Sequence, residues 1–489
     1  MTIRNQSTLI LLVAALQVRA ADPKNCTDLL SFRLSAGTVT KAEPVDPGSS
    51  PAYCRVLATL TPSSDSDIKM ELWLPLENWN GKLEANGNGG WTGSINSSAL
   101  SSGVKRGYAS TMSDLGHEGS RAAFALGHPE KLVDFGYRAA HEMTVAAKAI
   151  TAAYYRKAPA HSYWSGCSAG GRSALMEAQR YPADYDGIVA GAPGWNWTGR
   201  ALQSIKIAQA VHRDDQSYIP PAKYSLIHEA VLRACDTIDG LKDGVLEDPT
   251  RCNYDPKELE CHGADAPSCL TPAQVQTAHV LYDAVRNAQT RAVVFPGFER
   301  GSELGWARMA GPQPFEIGLD LFKYVVFKNP DWDYRTFHFD TDLDRTARAE
   351  RGVLNASNPD LVPFFRRGGK LIQYHGWSDP QIAPGISVEY YKAVLSASQA
   401  FAAVSDSYRL FMVPGMGHCT GGDGVSTFDA LSALETWVEG GKAPVQIVAT
   451  RVQNGAVERS RPLCPYPQIA RFKGSGDPND AANFACQAR

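Results

Sequence analysis

Apolar and polar residues alternate over residues 68–74, with Ile68, Met70, Leu72 and Leu74 on one side, and this period of two predicts a half-buried strand. Residues 83–85 begin a second strand, which runs into Asn86-Gly87-Asn88-Gly89-Gly90-Trp91, a glycine-rich loop just past the strand end. A third strand is predicted over 108–112. Over 137–155 the period becomes helical, with Ala140, Met143, Ala147 and Ile150 on one face. Ser162-Tyr163-Trp164 reads as a short strand, and 172–180 as a helix carrying Ala174, Leu175 and Ala178 on one side. Residues 187–190 form a short buried strand that ends in Gly191-Ala192-Pro193-Gly194. From about 195 to 361 the alternation disappears, and helical stretches mix with aromatic loops and four cysteines. It returns as a strand over 370–374, a helix near 388–395, a strand over 408–413 and a helix over 426–439.

The middle stretch is too long and too apolar for a linker and reads as an inserted domain. The chain therefore divides into 21–194 and 362–489, two halves of one core, with 195–361 inserted as a lid. Strands alternating with helices on both sides of the insertion predict one parallel sheet built from the two halves, the α/β class. No internal repeat or low-complexity segment interrupts this plan.

Between the strand at 162–164 and the helix at 172–180 lies Gly166-Cys167-Ser168-Ala169-Gly170-Gly171. This is the G-x-S-x-G pattern of a nucleophile elbow, in which a sharp strand-to-helix turn projects the serine hydroxyl from the sheet. On a parallel sheet it predicts an α/β-hydrolase core. A serine needs a base to take its proton and an acid to orient that base. In this fold they follow in the order Ser, acid, His. After the returning strands come His375-Gly376-Trp377-Ser378-Asp379-Pro380 and Pro414-Gly415-Met416-Gly417-His418-Cys419. Both lie at carboxyl ends of predicted strands, where such sheets bind ligands. Ser168, Asp379 and His418 are the expected nucleophile, acid and base; His375 is a competing base that precedes the acid position. The expected oxyanion donors are the backbone N–H of Ala169 and one from Gly89-Gly90-Trp91, taken as Gly90.

Hydrophobic residues at 44% and charged residues at 20% are those of a soluble globular chain of 489 residues, enough for two or three domains or one large domain with an insertion. A net charge of −3 favours neither nucleic acid nor an anionic membrane as partner. Residues 1–20 read as a secretory signal: Arg4, an apolar run over 9–16, and Val18-Arg19-Ala20 before the cut. No later stretch is long and apolar enough for a membrane helix, so a soluble, secreted or periplasmic protein is expected. The ten cysteines, without a C-x-x-C pair, then predict disulfides rather than zinc. Cys26 with Cys54 and Cys464 with Cys486 close short segments. Cys167 precedes Ser168 and Cys419 follows His418, so a catalytic contact between serine and histidine predicts a bridge between those cysteines as well. N-x-S/T sequons begin at Asn25, Asn96, Asn196 and Asn355.

Within the insertion, Asp236, Asp239 and Asp243 recur among glycines in a stretch that a Cys235–Cys252 bridge would close. With the carbonyls of Leu241 and Val245 they offer oxygen ligands of the kind Ca²⁺ takes. An acidic solvated turn explains the same residues.

With these motifs in hand, the chain resembles the tannase and feruloyl esterase family over nearly its whole mature length. The resemblance rests on the linked pattern Cys167-Ser168, Asp379 and His418-Cys419, and on the stretches 87–90, 301–306 and 368–372. It implies an α/β-hydrolase core, a lid, a structural Ca²⁺ on Asp236, Asp239, Asp243, Leu241 and Val245, and the pairings Cys235–Cys252 and Cys261–Cys269. It also implies a serine esterase for small aromatic esters: feruloyl esters of plant polysaccharide, galloyl esters of tannins or, in one branch, mono(2-hydroxyethyl) terephthalate. A serine peptidase or amidase and a hydrolase-fold binding protein with a dead site are the rival readings. The sequence leaves open oligomeric state and the lid residues that choose the substrate.

Overall fold

The computed structural model describes residues 25–48, 50–398 and 404–489, so the signal-like stretch 1–20 lies outside the described residues. Ten strands share one sheet. In chain order they are β1 Arg33–Leu34, β2 Gly37–Val45, β3 Tyr53–Leu60, β4 Ile68–Pro75, β5 Lys82–Asn86, β6 Ala109–Ser113, β7 His161–Cys167 and β8 Gly187–Gly191. A separate small hairpin follows, β9 Val285–Arg286 with β10 Val293–Phe295, and the large sheet resumes with β11 Lys370–Gly376 and β12 Tyr408–Val413. The order across it is β1-β2-β3-β4-β6-β5-β7-β8-β11-β12.

The six strands from β6 to β12 run parallel. The expectation of a wholly parallel sheet needs correcting, because β1 to β4 pair antiparallel and β4 meets β6 antiparallel. Short connections impose the antiparallel pairing of β1 to β4, since a parallel neighbour needs a long crossover. Pro44 sits in β2 opposite Cys54, beyond the reach of the short β1, so its other side is a sheet edge, where proline is tolerated.

The half-buried strand at 68–74 is covered on both faces except at Lys69. Ile68, Met70, Leu72 and Leu74 enter the main apolar cluster, while Trp73 packs with Tyr53, Leu100, Val104 and Met112 on the other side. Glu71 tolerates this burial because Arg55 and the Trp73 indole N–H both reach its carboxylate.

The predicted long helix is Ala139–Tyr155, entered through a π-turn over Asp134–Arg138. Between β8 and β11 the chain contributes no strand to the large sheet. It forms the helices Trp197–Val211, Tyr224–Cys235 and Pro272–Tyr282, the last opened by a capping box of Thr271 and Gln274. Trp197, Leu202 and Ile205 of this insertion belong to the same apolar cluster as Trp91 and Phe135. The Trp91 indole also donates to the Ile317 carbonyl at 2.9 Å. Beyond the last sheet strand, two hairpins form, β13 Ile447–Gln453 with β14 Ala456–Leu463 and β15 Ile469–Phe472 with β16 Phe484–Gln487.

All five expected disulfides form: Cys26–Cys54, Cys167–Cys419, Cys235–Cys252, Cys261–Cys269 and Cys464–Cys486. Such a set belongs to a fold matured in an oxidising compartment. No helix among the described residues is long and apolar enough to cross a membrane.

Glu84, in β5 beside the elbow strand, is buried with Oε2 unpartnered. Burial pushes its carboxyl from 4.5 up to about 7, against the opposing charge of Arg106. The folded state thus keeps a proton that the unfolded chain releases above its ordinary value. Stability therefore falls as pH rises from 4.5 to about 7 and levels off beyond. The full difference is on the order of 3 kcal/mol. Glu84→Gln should raise Tm relative to the parent at pH 8 and lose most of that advantage near pH 5, as read by thermal melts across pH.

Candidate active site

The parallel strands end together. Asn86 at the end of β5 pairs with Ser165 of β7, Cys167 with Gly191, Gly191 with Tyr374, and Gly376 with Val413. The loops after β5, β7, β11 and β12 therefore rise from one rim of the sheet. They carry Gly90, Ser168, Asp379 and His418.

After β7 the backbone turns directly into the helix Ala169–Arg180, and Ser168 adopts φ 63°, ψ −119°. That region is strained for any residue with a Cβ, and such strain is the mark of a nucleophile elbow. It is held from both sides: the Ser168 N–H donates to Gly191 O at 2.9 Å, and its carbonyl accepts from Arg172 N–H at 3.0 Å. The turn closes because its glycines leave room. A Cβ on Gly166 would stand 2.6 Å from the Gly170 carbonyl, and one on Gly87 2.5 Å from Gly170 Cα.

Asp379 is fully buried. Its Oδ2 accepts from His418 Nδ1 at 2.6 Å and from His375 Nε2 at 3.1 Å, and its Oδ1 accepts from the N–H groups of Gln381 and Ile382 at 2.8 and 2.9 Å. Burial alone would raise this carboxyl; the charge of His418 and the hydrogen bonds from both histidines outweigh it and hold the group well below the usual carboxylate range. With Nδ1 committed to Asp379, His418 is left with Nε2 as the nitrogen that can take a proton.

His375, weighed above as a competing base, occupies a different place. It is fully buried behind Asp379, with Nδ1 on the Ser387 hydroxyl at 2.7 Å and Nε2 also near the Ile382 carbonyl at 3.0 Å. It braces the acid, sharing Oδ2 of Asp379 with His418.

Ser168 and His418 line one cavity of about 680 Å³, together with Gly90 and the bridged pair Cys167–Cys419. The bridge joins Cα atoms 6.0 Å apart across 252 residues of sequence. Cys419 has φ 66°, so it too turns sharply beside the histidine. Ala169 opens its helix, so its N–H has no intrahelical acceptor. Gly90 has φ 54°, and a Cβ there would also stand 3.0 Å from Ile317 Cδ1. Neither N–H makes a main-chain hydrogen bond among the described residues. The insertion supplies Arg200, Arg308 and Phe315 to the same cavity; no local pattern marked them in the sequence.

The acidic stretch of the insertion lies elsewhere. Asp239, Leu241, Asp243, Val245 and Glu247 surround a second cavity of about 20 Å³. Asp236 ties the loop across itself, accepting from the N–H groups of Asp243 and Gly244 at 3.3 and 3.1 Å. Burial, with Asp243 and Asp236 nearby, holds the Asp239 carboxyl above its ordinary value, and burial pushes Glu247 up to about 8. Arg461 of β14 reaches the Asp243 carboxylate, and Arg459 donates to its carbonyl at 2.9 Å. The residue types are those a hard cation such as Ca²⁺ takes, but Asp236 does not line this cavity and Arg461 already holds the Asp243 carboxylate. The loop also touches the base loop, since a Cβ on Gly415 would lie 3.1 Å from Val245 Cγ1.

Residues 54–487 match the family described as tannase and feruloyl esterase. An uncharacterized esterase from Xanthomonas campestris is 36% identical, over 97% of this chain and 93% of its own length. A probable feruloyl esterase B-2 from Aspergillus terreus is 35% identical, over 88% of this chain and 86% of its own. The crystal structure of feruloyl esterase B from Aspergillus oryzae superposes with a TM-score of 0.87 at 30% identity, covering 93% of this chain and 98% of that one.

Proposed function

The chain belongs to the tannase and feruloyl esterase family, and from that premise we propose that it is a serine carboxylic-ester hydrolase that splits esters of aromatic acids through an acyl-enzyme. The observation that carries the reading is the pairing of His418 with a buried Asp379 on the wall of the cavity that Ser168 also lines. Ser168 Oγ attacks the ester carbonyl while His418 Nε2 takes its proton. Asp379 keeps Nδ1 protonated and stabilises the imidazolium. The N–H groups of Ala169 and Gly90 receive the negative charge that gathers on the carbonyl oxygen. His418 then protonates the departing alcohol. Water, activated by the same histidine, releases the aromatic acid from Ser168.

A feruloyl ester is the substrate this reading favours, in line with the names of the relatives, with galloyl esters and mono(2-hydroxyethyl) terephthalate as the alternatives. The test is kcat/KM for methyl ferulate, methyl gallate and mono(2-hydroxyethyl) terephthalate beside a peptide anilide, with fluorophosphonate labelling of the intact protein. At least one aromatic ester should exceed the anilide by about 100-fold or more. Preference for the anilide would make the protein an amidase, and failure to label would leave a binding protein with a dead site. The five disulfides support export, in accord with the signal-like first twenty residues.

The same reading gives the acidic loop a structural Ca²⁺, which Asp236, Asp239 and Asp243 with the carbonyls of Leu241 and Val245 would hold. Bound there, the cation supplies positive charge to a crowded carboxylate cluster. The loop itself, closed by Cys235–Cys252 and resting against Gly415, buttresses the segment that carries His418. Chelation should lower Tm by about 5 °C or more, with recovery on adding Ca²⁺. A melt indifferent to both additions would remove the metal from the account.

A further inference from the structure

A second group of chemistry-bearing side chains gathers away from the catalytic rim. His141 stands on the helix Ala139–Tyr155, Glu177 on the helix Ala169–Arg180 that follows the nucleophile turn, and Asp184 in the connection to β8. Glu177 lies about 14 Å along its helix from Ser168, by the rise per residue. A ring nitrogen of His141 and one oxygen from each carboxyl lie within 4.8 Å of one another. None of the three residues lines the active-site cavity or the cavity beside the acidic loop of the insertion.

Two of the three are held in place by their neighbours. The His141 ring stacks on Tyr181, with centroids 3.8 Å apart and planes 7° from parallel, and its Nδ1 lies 2.6 Å from Asp184 Oδ2. The Asp184 N–H donates to the Tyr181 carbonyl at 2.9 Å. Glu177 is the member left over. It is fully buried, and neither of its oxygens meets an N–H or hydroxyl donor among the described residues. The group it faces is another carboxyl, Asp184. The cation whose charge acts on Glu177 is Lys148, but that ammonium donates to the main-chain carbonyls of Ala183 and Asp184 and to neither carboxylate.

Two carboxyls at this depth need a proton between them or a cation among them. A shared proton would concern the acids alone. Here an imidazole is also fixed with Nδ1 turned to the pair, so that nitrogen joins the oxygens. Mixed imidazole and carboxylate ligands suit Zn²⁺ and its first-row neighbours, whereas Ca²⁺ takes oxygen. Closing ligand atoms from 4.8 Å apart onto bonds of about 2.1 Å asks each to move by less than about 1 Å. Three protein ligands leave a further position for water, and the His141 side chain, 27% exposed, gives a way in from solvent.

We propose that His141, Glu177 and Asp184 form a binding site for one divalent transition cation of the Zn²⁺ type. The ion would pin the far end of the elbow helix to the helix before β7 and to the approach to β8. On binding, His141 keeps its proton on Nε2 and offers the Nδ1 lone pair, and any proton held between the two acids leaves to water. The site takes no part in the ester chemistry, so it stands or falls apart from the esterase reading.

In the experiment the intact protein is stripped with a chelator, returned to buffer with excess Ca²⁺ so that the acidic loop is supplied, and dialysed against Zn²⁺. The parent should retain one equivalent of Zn²⁺ more than His141→Phe, which keeps a ring against Tyr181, or Glu177→Gln, which keeps the shape of the side chain. Each variant should bind Zn²⁺ about 100-fold more weakly or worse, since it loses a direct ligand. Zn²⁺ should raise the parental Tm by about 3 °C or more and leave that of His141→Phe unmoved. Co²⁺ in place of Zn²⁺ should give visible d–d absorption in the parent that both variants lack. Should Glu177→Gln fail to fold, His141→Phe and Asp184→Asn carry the comparison. Equal uptake by the parent and the variants would overturn the site and assign the ion to surface histidines. No uptake by the parent would also overturn it and leave the two acids sharing a proton.

Discussion

Replacing Ser168 by alanine is expected to lower kcat for an aromatic ester by about 10⁴-fold or more. The same change should abolish fluorophosphonate labelling while leaving the melting temperature within a degree or two. The reasoning is local. Alanine keeps the Cβ, so the strained φ of 63° at position 168 is no harder to hold than in the parent. The serine hydroxyl makes no hydrogen bond to another protein group among the described residues, so its loss costs little stability. What disappears is the hydroxyl that the elbow presents to the cavity His418 also lines. Residual turnover would come from Gly90, Ala169 and the walls of the cavity, which still favour the developing oxyanion. A variant that kept even a tenth of parental kcat would show that another group attacks the ester.

Removing the Cys167–Cys419 bridge by changing both cysteines to alanine should act on two quantities at once. The bridge spans 252 residues of sequence. In the chain-entropy view its loss removes about 5 kcal/mol of constraint on the unfolded state, an upper figure because the unfolded chain keeps four other bridges. Its local effect is separate. Cys167 ends β7 and Cys419 follows the base, so the bridge sets the distance between the elbow and the His418 loop. The base loop is otherwise held by the Asp379 hydrogen bond and by backbone bonds such as Gly417 N–H to Gly421 O. Misplacement by about an ångström costs about 10²-fold in rate. The double variant should therefore lose about 10- to 100-fold in kcat at a temperature where it is still folded, with KM changed much less. Unchanged kcat in a folded variant would reduce the bridge to a stabiliser with no part in placing the base.

The elbow was legible because its chemistry and its backbone are written in the same six residues: glycines where strand and helix nearly touch, a serine between them. Asp379 and His418 could be found because each follows a strand whose apolar run is plain in the sequence, and the order of nucleophile, acid and base along the chain is set by the fold. The cysteines next to Ser168 and His418 reinforced one another in the same way.

What escaped the sequence depends on neighbours distant in the chain. Lys69, Glu71 and Trp73 gave β4 a polar-looking side, and only the helix Ser97–Lys105 with Tyr53 decides that this side is covered. The antiparallel strands β1 to β3 were hidden behind prolines whose harmlessness depends on which edge has no partner. His375 carries the same residue type and loop position as a base, and only the packing of Ser387 and Ile382 makes it a brace. By itself, then, the amino-acid sequence determined the sheet-and-helix rhythm, the strained serine turn, the bridging cysteines and the two loops that bring Asp379 to His418, because each is encoded within a few residues or by strand order. The tertiary structure alone decided which faces are dry and which histidine meets the cavity, because burial is a property of everything that packs around a group.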